Sequence, residues 1–99
     1  MIIETEILKV IKGIGDQGGT TGNVMEILGY TSSDFQQGFD IANEMQNRDL
    51  VKLLYSNFNQ NKVIVEFTLL GKDAYEKQLW HLTGRFLLRL KYLENLITR

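Results

Sequence analysis

The sequence contains no cysteine and no proline, and His81 is the single histidine among its 99 residues. Without cysteine there is no disulfide framework, no thiolate metal site and no cysteine nucleophile. One histidine leaves little for a metal centre of the zinc type. The missing proline leaves turns to glycine and asparagine and fits a chain dominated by helices. Long apolar runs are lacking too. Nothing approaches the roughly 20 residues that span a bilayer, and residues 1–12 lack the basic, apolar and small-residue order of a signal peptide. A cytoplasmic location, without membrane association, is the expectation. No carboxylate pair, serine-histidine set or metal spacing is present, so neither enzymatic activity nor a cofactor is expected.

What is present is the composition of an ordinary globular chain, 43 % hydrophobic and 23 % charged. A chain of this length makes one domain, residues 1–99, with a single core. Its charge is divided unevenly. Residues 1–50 carry three basic and eight acidic side chains, and residues 51–99 carry eight basic and four acidic ones.

The stretch GIGDQGGTTGN, residues 13–23, has the glycine spacing of a phosphate-binding loop, with Gly13 and Gly18 separated by four residues. That loop requires a lysine after the second glycine, a strand before it and a helix behind it. Gly19 stands in the lysine's place. The preceding residues repeat their apolar side chains as Ile3, Ile7, Val10, Ile11 and Ile14, a helix face rather than a buried parallel strand. The stretch therefore reads as a flexible glycine-rich connection between two helices.

A short helix follows, with Val24, Ile27 and Leu28 on one side. Thr20 or Thr21 can cap it, or Asn23 paired with Glu26, and Gly29 suits the left-handed residue that ends it. A tight turn at Tyr30 and Thr31 leads into a helix over residues 32–47, which has Asp34 in its first turn. There Phe35, Gly38, Ile41, Ala42 and Met45 form the inward face; Gln36, Gln37, Asp40, Asn43, Glu44 and Asn47 look outward. Gly38 costs the helix about 1 kcal/mol relative to alanine, which close packing on the previous helix would offset.

Then the period changes. LVKLLY and KVIVEF read as the strands of a hairpin whose tip is residues 56–61, with Tyr55 packed inward beside Leu53. From Thr68, a candidate N-cap, the chain returns to helix over residues 69–99. Leu79, Leu82, Phe86, Leu90, Leu93 and Ile97 mark an apolar stripe too long for so small a domain to cover, and self-association through it is the expectation. Trp80 and His81 lie beside the stripe; Trp80 reads as a packing residue and His81 as a surface or hydrogen-bonded histidine.

Helix, helix-turn-helix, hairpin and long final helix: this order resembles the winged helix-turn-helix domains of small dimeric transcription regulators of the MarR and PadR type. The resemblance covers nearly the whole chain. It rests on TTGNVMEILGYTSSDF, on MQNRDLV, where Asp49 replaces the usual glycine, and on EFTLLGKDAY, where Phe67 replaces leucine. It implies a mainly α fold with a small β-hairpin (α+β), with a helix-turn-helix core and wing over residues 1–68 and a dimerisation helix over residues 69–99.

The resemblance further implies that the helix at residues 32–47 enters the major groove of double-stranded DNA and presents Ser32, Ser33, Gln36, Gln37 and Asn43 to base edges. Asn57, Asn59, Gln60, Asn61 and Lys62 at the wing tip would follow the backbone or minor groove, and Arg48 and Lys52 would hold phosphates. Charge opposes this reading, because the helix carries Asp34, Asp40 and Glu44 with only Arg48 against them. The expectation is therefore weak or salt-sensitive DNA binding. The alternative is a winged-helix module that associates with another protein and does not touch DNA.

Overall fold

A computed structural model describes residues 3–82, with side chains described as far as residue 78. Within that span the chain is an α+β globule built from four α-helices and a three-stranded antiparallel sheet. The element order is α1 (Ile3–Asp16), β1 (Thr21–Asn23), α2 (Val24–Leu28), a 3-10 turn (Ser32–Asp34), α3 (Phe35–Asn47), β2 (Val51–Asn57), β3 (Lys62–Phe67) and α4 (Leu69–Leu82).

The core is wholly apolar. From α1 come Ile7, Val10, Ile11 and Ile14, from α2 Val24 and Met25, from α3 Ile41, Ala42 and Met45, and from the sheet Val51, Val63 and Val65. No polar or charged residue is buried among the described residues. Each of the larger side chains contributes about 2 kcal/mol by leaving water. Two glycines set how closely the helices approach this core. A Cβ on Gly38 would lie 2.3 Å from Met25 Sδ, so α3 sits against α2 where no side chain fits. A Cβ on Gly71 would lie 2.0 Å from the Leu50 carbonyl oxygen, so the first turn of α4 rests on backbone.

The glycine-rich connection departs from the sequence-based expectation. It leads from α1 into a strand, not directly into a helix. Thr21, Gly22 and Asn23 pair with Glu66, Val65 and Ile64, and the Phe67 amide donates to the Thr20 carbonyl at 2.7 Å. β3 thus has a partner on each side, β1 and β2, and its backbone groups are satisfied on both edges. Among the cap candidates Asn23 is used: its Oδ1 accepts from the amides of Met25 at 3.2 Å and Val63 at 3.0 Å, which locks α2 to the sheet. Gly29 ends α2 at φ 69°, in the left-handed region.

The hairpin is longer than the sequence suggests. Ser56 pairs with Val63 and Asn57 with Lys62, so the turn is residues 58–61, closed by the Asn61 amide donating to the Phe58 carbonyl at 3.1 Å. Leu53 pairs with Val65 and Tyr55 with Ile64, leaving Leu54 as an extra residue in the ladder. That bulge shifts the side-chain alternation by one. Tyr55 is therefore 44 % exposed and does not pack inward beside Leu53. Thr68 caps α4, its Oγ1 accepting from the Gly71 amide at 3.1 Å and donating to the Asp49 carbonyl. Among the described residues no helix is long and apolar enough to cross a membrane.

Candidate nucleic-acid interface

α2 and α3 are joined through Gly29, Tyr30 and a capped turn. Asp34 Oδ2 accepts from the Thr31 amide at 3.1 Å and from the Thr31 hydroxyl at 3.2 Å, closing the box that starts the helix. This geometry leaves Ser32 and Ser33 exposed at the start of α3, with the Ser33 and Thr31 hydroxyls 2.8 Å apart.

The hairpin turn is fastened beside this end of α3 by two contacts. The Phe58 ring meets Phe35 edge to face at 5.4 Å and 86°, and Asn61 Nδ2 donates to the Tyr30 carbonyl at 2.9 Å. Ser32, Ser33, Gln36 and the exposed Asn59 are thereby gathered around one end of α3 and the hairpin turn. Asn61 itself is half-buried, and its role is to hold the turn, at φ 54°, against α2. Its Oδ1 is buried without a partner. Lys62 opens β3 and is exposed.

The remaining predicted side chains divide by position. Gln36 is exposed, and its amide donates to Asp40 Oδ1 at 2.8 Å. Gln37 is half-buried and donates to the Tyr30 hydroxyl at 2.9 Å, which in turn donates to Glu6 Oε2 at 3.0 Å. That chain ties α3 to α1 through Tyr30. Burial first, and then the hydrogen bond to Glu6, push the Tyr30 phenol above the usual tyrosine range. Asn43 is half-buried on the outward side of α3.

Arg48 follows α3 at the far end of its 13 residues, about 20 Å from the first turn. Its Nε donates to Glu44 Oε1 and its Nη2 to Glu4 Oε1, both at 3.0 Å. The Arg48 hydrogen bond holds the Glu4 carboxyl below its usual range. Lys52 is exposed on β2 opposite Glu66, with no ion pair among the described residues. The structure thus groups the serines, Gln36 and the hairpin turn, and separates them from Arg48 and Lys52.

Sequence reasoning missed one component, the exposed side of an aromatic row. Phe39 stacks on Phe35 with ring centroids 6.3 Å apart, and Phe35 meets Phe58, which is 57 % exposed. The spacing of Phe35 and Phe39 by four residues was a visible signal for such a pair.

Of the residues expected at a dimer seam, Leu79 and Leu82 fall within α4 but their side chains lie outside the described set, as do Phe86, Leu90, Leu93 and Ile97 entirely. Among the described residues no three His, Cys, Asp or Glu side chains are grouped to hold a metal ion. Comparison with protein-family models, with curated proteins and with solved structures gives no match.

Proposed function

We propose that the chain is a winged helix-turn-helix protein that binds double-stranded DNA as a homodimer and acts as a small transcription regulator, with α3 in the major groove. The observation that carries this reading is the arrangement of α2, a tight turn and α3 with the β2–β3 hairpin fastened beside the start of α3. This places Gln36, Asn43 and the two serines on the outward side of a helix that a major groove can admit, with the hairpin turn alongside. Fold alone does not give function, so the reading depends on those side chains as well as on the arrangement.

The direct test is selection of duplex DNA from a randomised pool at low salt. Enrichment of an inverted repeat with half-sites about one helical turn apart is expected of a two-fold dimer. Absence of enrichment by the folded protein overturns the reading. Gln36→Ala should then relax the selected sequence, while Gln37→Ala should act through stability because Gln37 is tied to Tyr30.

A second reading, association with another protein through the same face, is favoured by the electrostatics. Arg48 is engaged by two carboxylates, Asp34 and Asp40 have no basic partner among the described residues, and Phe39 and Phe58 add apolar surface. Capture of a protein partner by wild type and its loss in Phe39→Ala, with no DNA selected, is the outcome that would establish it.

A further inference from the structure

We propose that the groove between the glycine-rich connection and α4 binds a small apolar α-amino acid in its zwitterionic form. The groove has a volume of about 330 Å3 and is lined by Gly15, Gly18, Gly19 and Thr20 on one side and by Phe67, Lys72, Tyr75 and Glu76 on the other. That volume is in the range of small-molecule sites, and the combination of aromatic walls with a few charged groups is their usual chemistry.

Three observations point to the occupant. The first is Gly19, for which the fold shows no need. It is not among the residues with positive φ, and a Cβ added there would meet nothing closer than the Thr21 amide nitrogen at 4.0 Å. A side chain at this position would stand in open space, so glycine keeps the space beside the groove free.

The second observation is that Lys72 and Glu76, one helical turn apart, line the same groove and form no ion pair with each other or with any other described residue. A ligand with only a negative charge would be repelled by Glu76, and one with only a positive charge by Lys72. A zwitterion satisfies both, its carboxylate on the Lys72 ammonium and its ammonium on the Glu76 carboxylate.

The third is the wall. Tyr75 donates to Asp16 Oδ1 at 2.9 Å, Asp16 is held by Lys12, and the Tyr75 ring fills the space a side chain on Gly15 would need. The Phe67 ring lies 6.4 Å away at 33°. The apolar surface is therefore formed before a ligand arrives, which lowers the entropy lost on binding. An aliphatic or aromatic amino-acid side chain fits against it.

The test is an NMR titration of the full chain with L-phenylalanine, followed at the backbone amides of Gly18, Gly19 and Lys72. 3-Phenylpropionate, which lacks the ammonium, and phenethylamine, which lacks the carboxylate, are the comparison ligands. Saturable shifts at these amides with phenylalanine are expected, with each comparison ligand binding about tenfold more weakly. Lys72→Met and Glu76→Gln should each weaken phenylalanine binding by about the same factor, and Gly19→Val should abolish it, with the rest of the spectrum intact. The proposal is overturned if phenylalanine and leucine both leave these amides unshifted, if either comparison ligand binds as well as phenylalanine, or if neither charge variant weakens binding.

Discussion

Arg48 donates to Glu4 at 3.0 Å across 44 residues of sequence, joining the end of α3 to the first turn of α1. Glu44, four residues back on α3, takes a second donor of the same guanidinium. The basic side chain that follows the proposed reading helix is thus neutralised by two acids, one of them on a different helix. Exposed ion pairs contribute little to stability, so their effect should fall on what Arg48 can contact. Glu4→Gln combined with Glu44→Gln is expected to leave the urea midpoint nearly unchanged. The same variant should tighten DNA binding several-fold at low salt and steepen the logarithmic salt dependence by about one. Fluorescence anisotropy over a salt series checks both, and an unchanged slope removes Arg48 from the DNA contact.

Acid should weaken the fold only slightly through Glu4 and Asp16, because both carboxylates and their partners are exposed. Glu4 is held below its ordinary pKa chiefly by the Arg48 hydrogen bond, and Asp16 chiefly by the Lys12 hydrogen bond and then by that from Tyr75. A group whose folded pKa is depressed contributes stability that is fully present above its unfolded pKa. The contribution is lost as the pH falls through the folded value. Stability should therefore decline below about pH 4.5, where the unfolded carboxyls begin to take up protons first. Urea unfolding between about pH 6 and pH 3 measures this, and Glu4→Gln with Asp16→Asn should flatten the profile. Tyr30 gives the opposite sign: its raised pKa favours the neutral phenol in the fold. Its contribution is whole below about pH 10 and disappears as the pH rises through the folded value.

The close approaches at Gly38 and Gly71 differ in what a methyl group would displace. At Gly38 the obstacle is the Met25 thioether, a flexible side-chain end in a buried site. Gly38→Ala gains about 1 kcal/mol of helix propensity against about 1–3 kcal/mol of overpacking, so a modest net loss is expected. At Gly71 the obstacle is the Leu50 carbonyl, whose residue also donates its amide to Met45 and accepts from Thr68. Backbone held at two points cannot easily yield, and Gly71→Ala should cost about 3 kcal/mol or more. Thermal unfolding of the two variants side by side orders them, and equal losses would contradict this account.

These positions also show which parts of the fold could be read from sequence. The α1 face, the Gly29 cap, the Thr68 cap and the inward row of α3 were legible because helical period and capping chemistry act over four residues or fewer. β1 was not. Three residues including a glycine show no alternation, and their reason for being a strand is the edge of β3, more than 40 residues away. Tyr55 was misplaced because a bulge leaves no mark in composition. At the candidate site the residue types were readable, but their partners were not. Nothing local announces that Gln37 serves Tyr30, that Asn61 holds the turn, or that Arg48 is engaged by Glu4.

Asp49 follows the last turn of α3 with its backbone in the left-handed region that favours glycine. α3 ends with the Leu50 amide donating to the Met45 carbonyl and the Asp49 amide to the Gln46 carbonyl, both at 2.9 Å, with Asp49 at φ 61°. This is the left-handed closure that glycine adopts without steric cost. Aspartate tolerates it better than other side chains but still crowds its own carbonyl. Glycine loses more entropy on folding, which cancels part of the gain. Asp49→Gly should therefore stabilise the chain by about 0.5–1 kcal/mol, and Asp49→Ala, with a Cβ and no polar side chain, should destabilise it. Both changes remove one negative charge from the acidic half near Arg48 and Lys52. If that half faces DNA, both variants should bind more tightly at low salt, although their stabilities move in opposite directions. Urea unfolding and DNA affinity on the same two proteins separate the effects. Affinity that follows stability instead of charge would place Asp49 away from the bound surface.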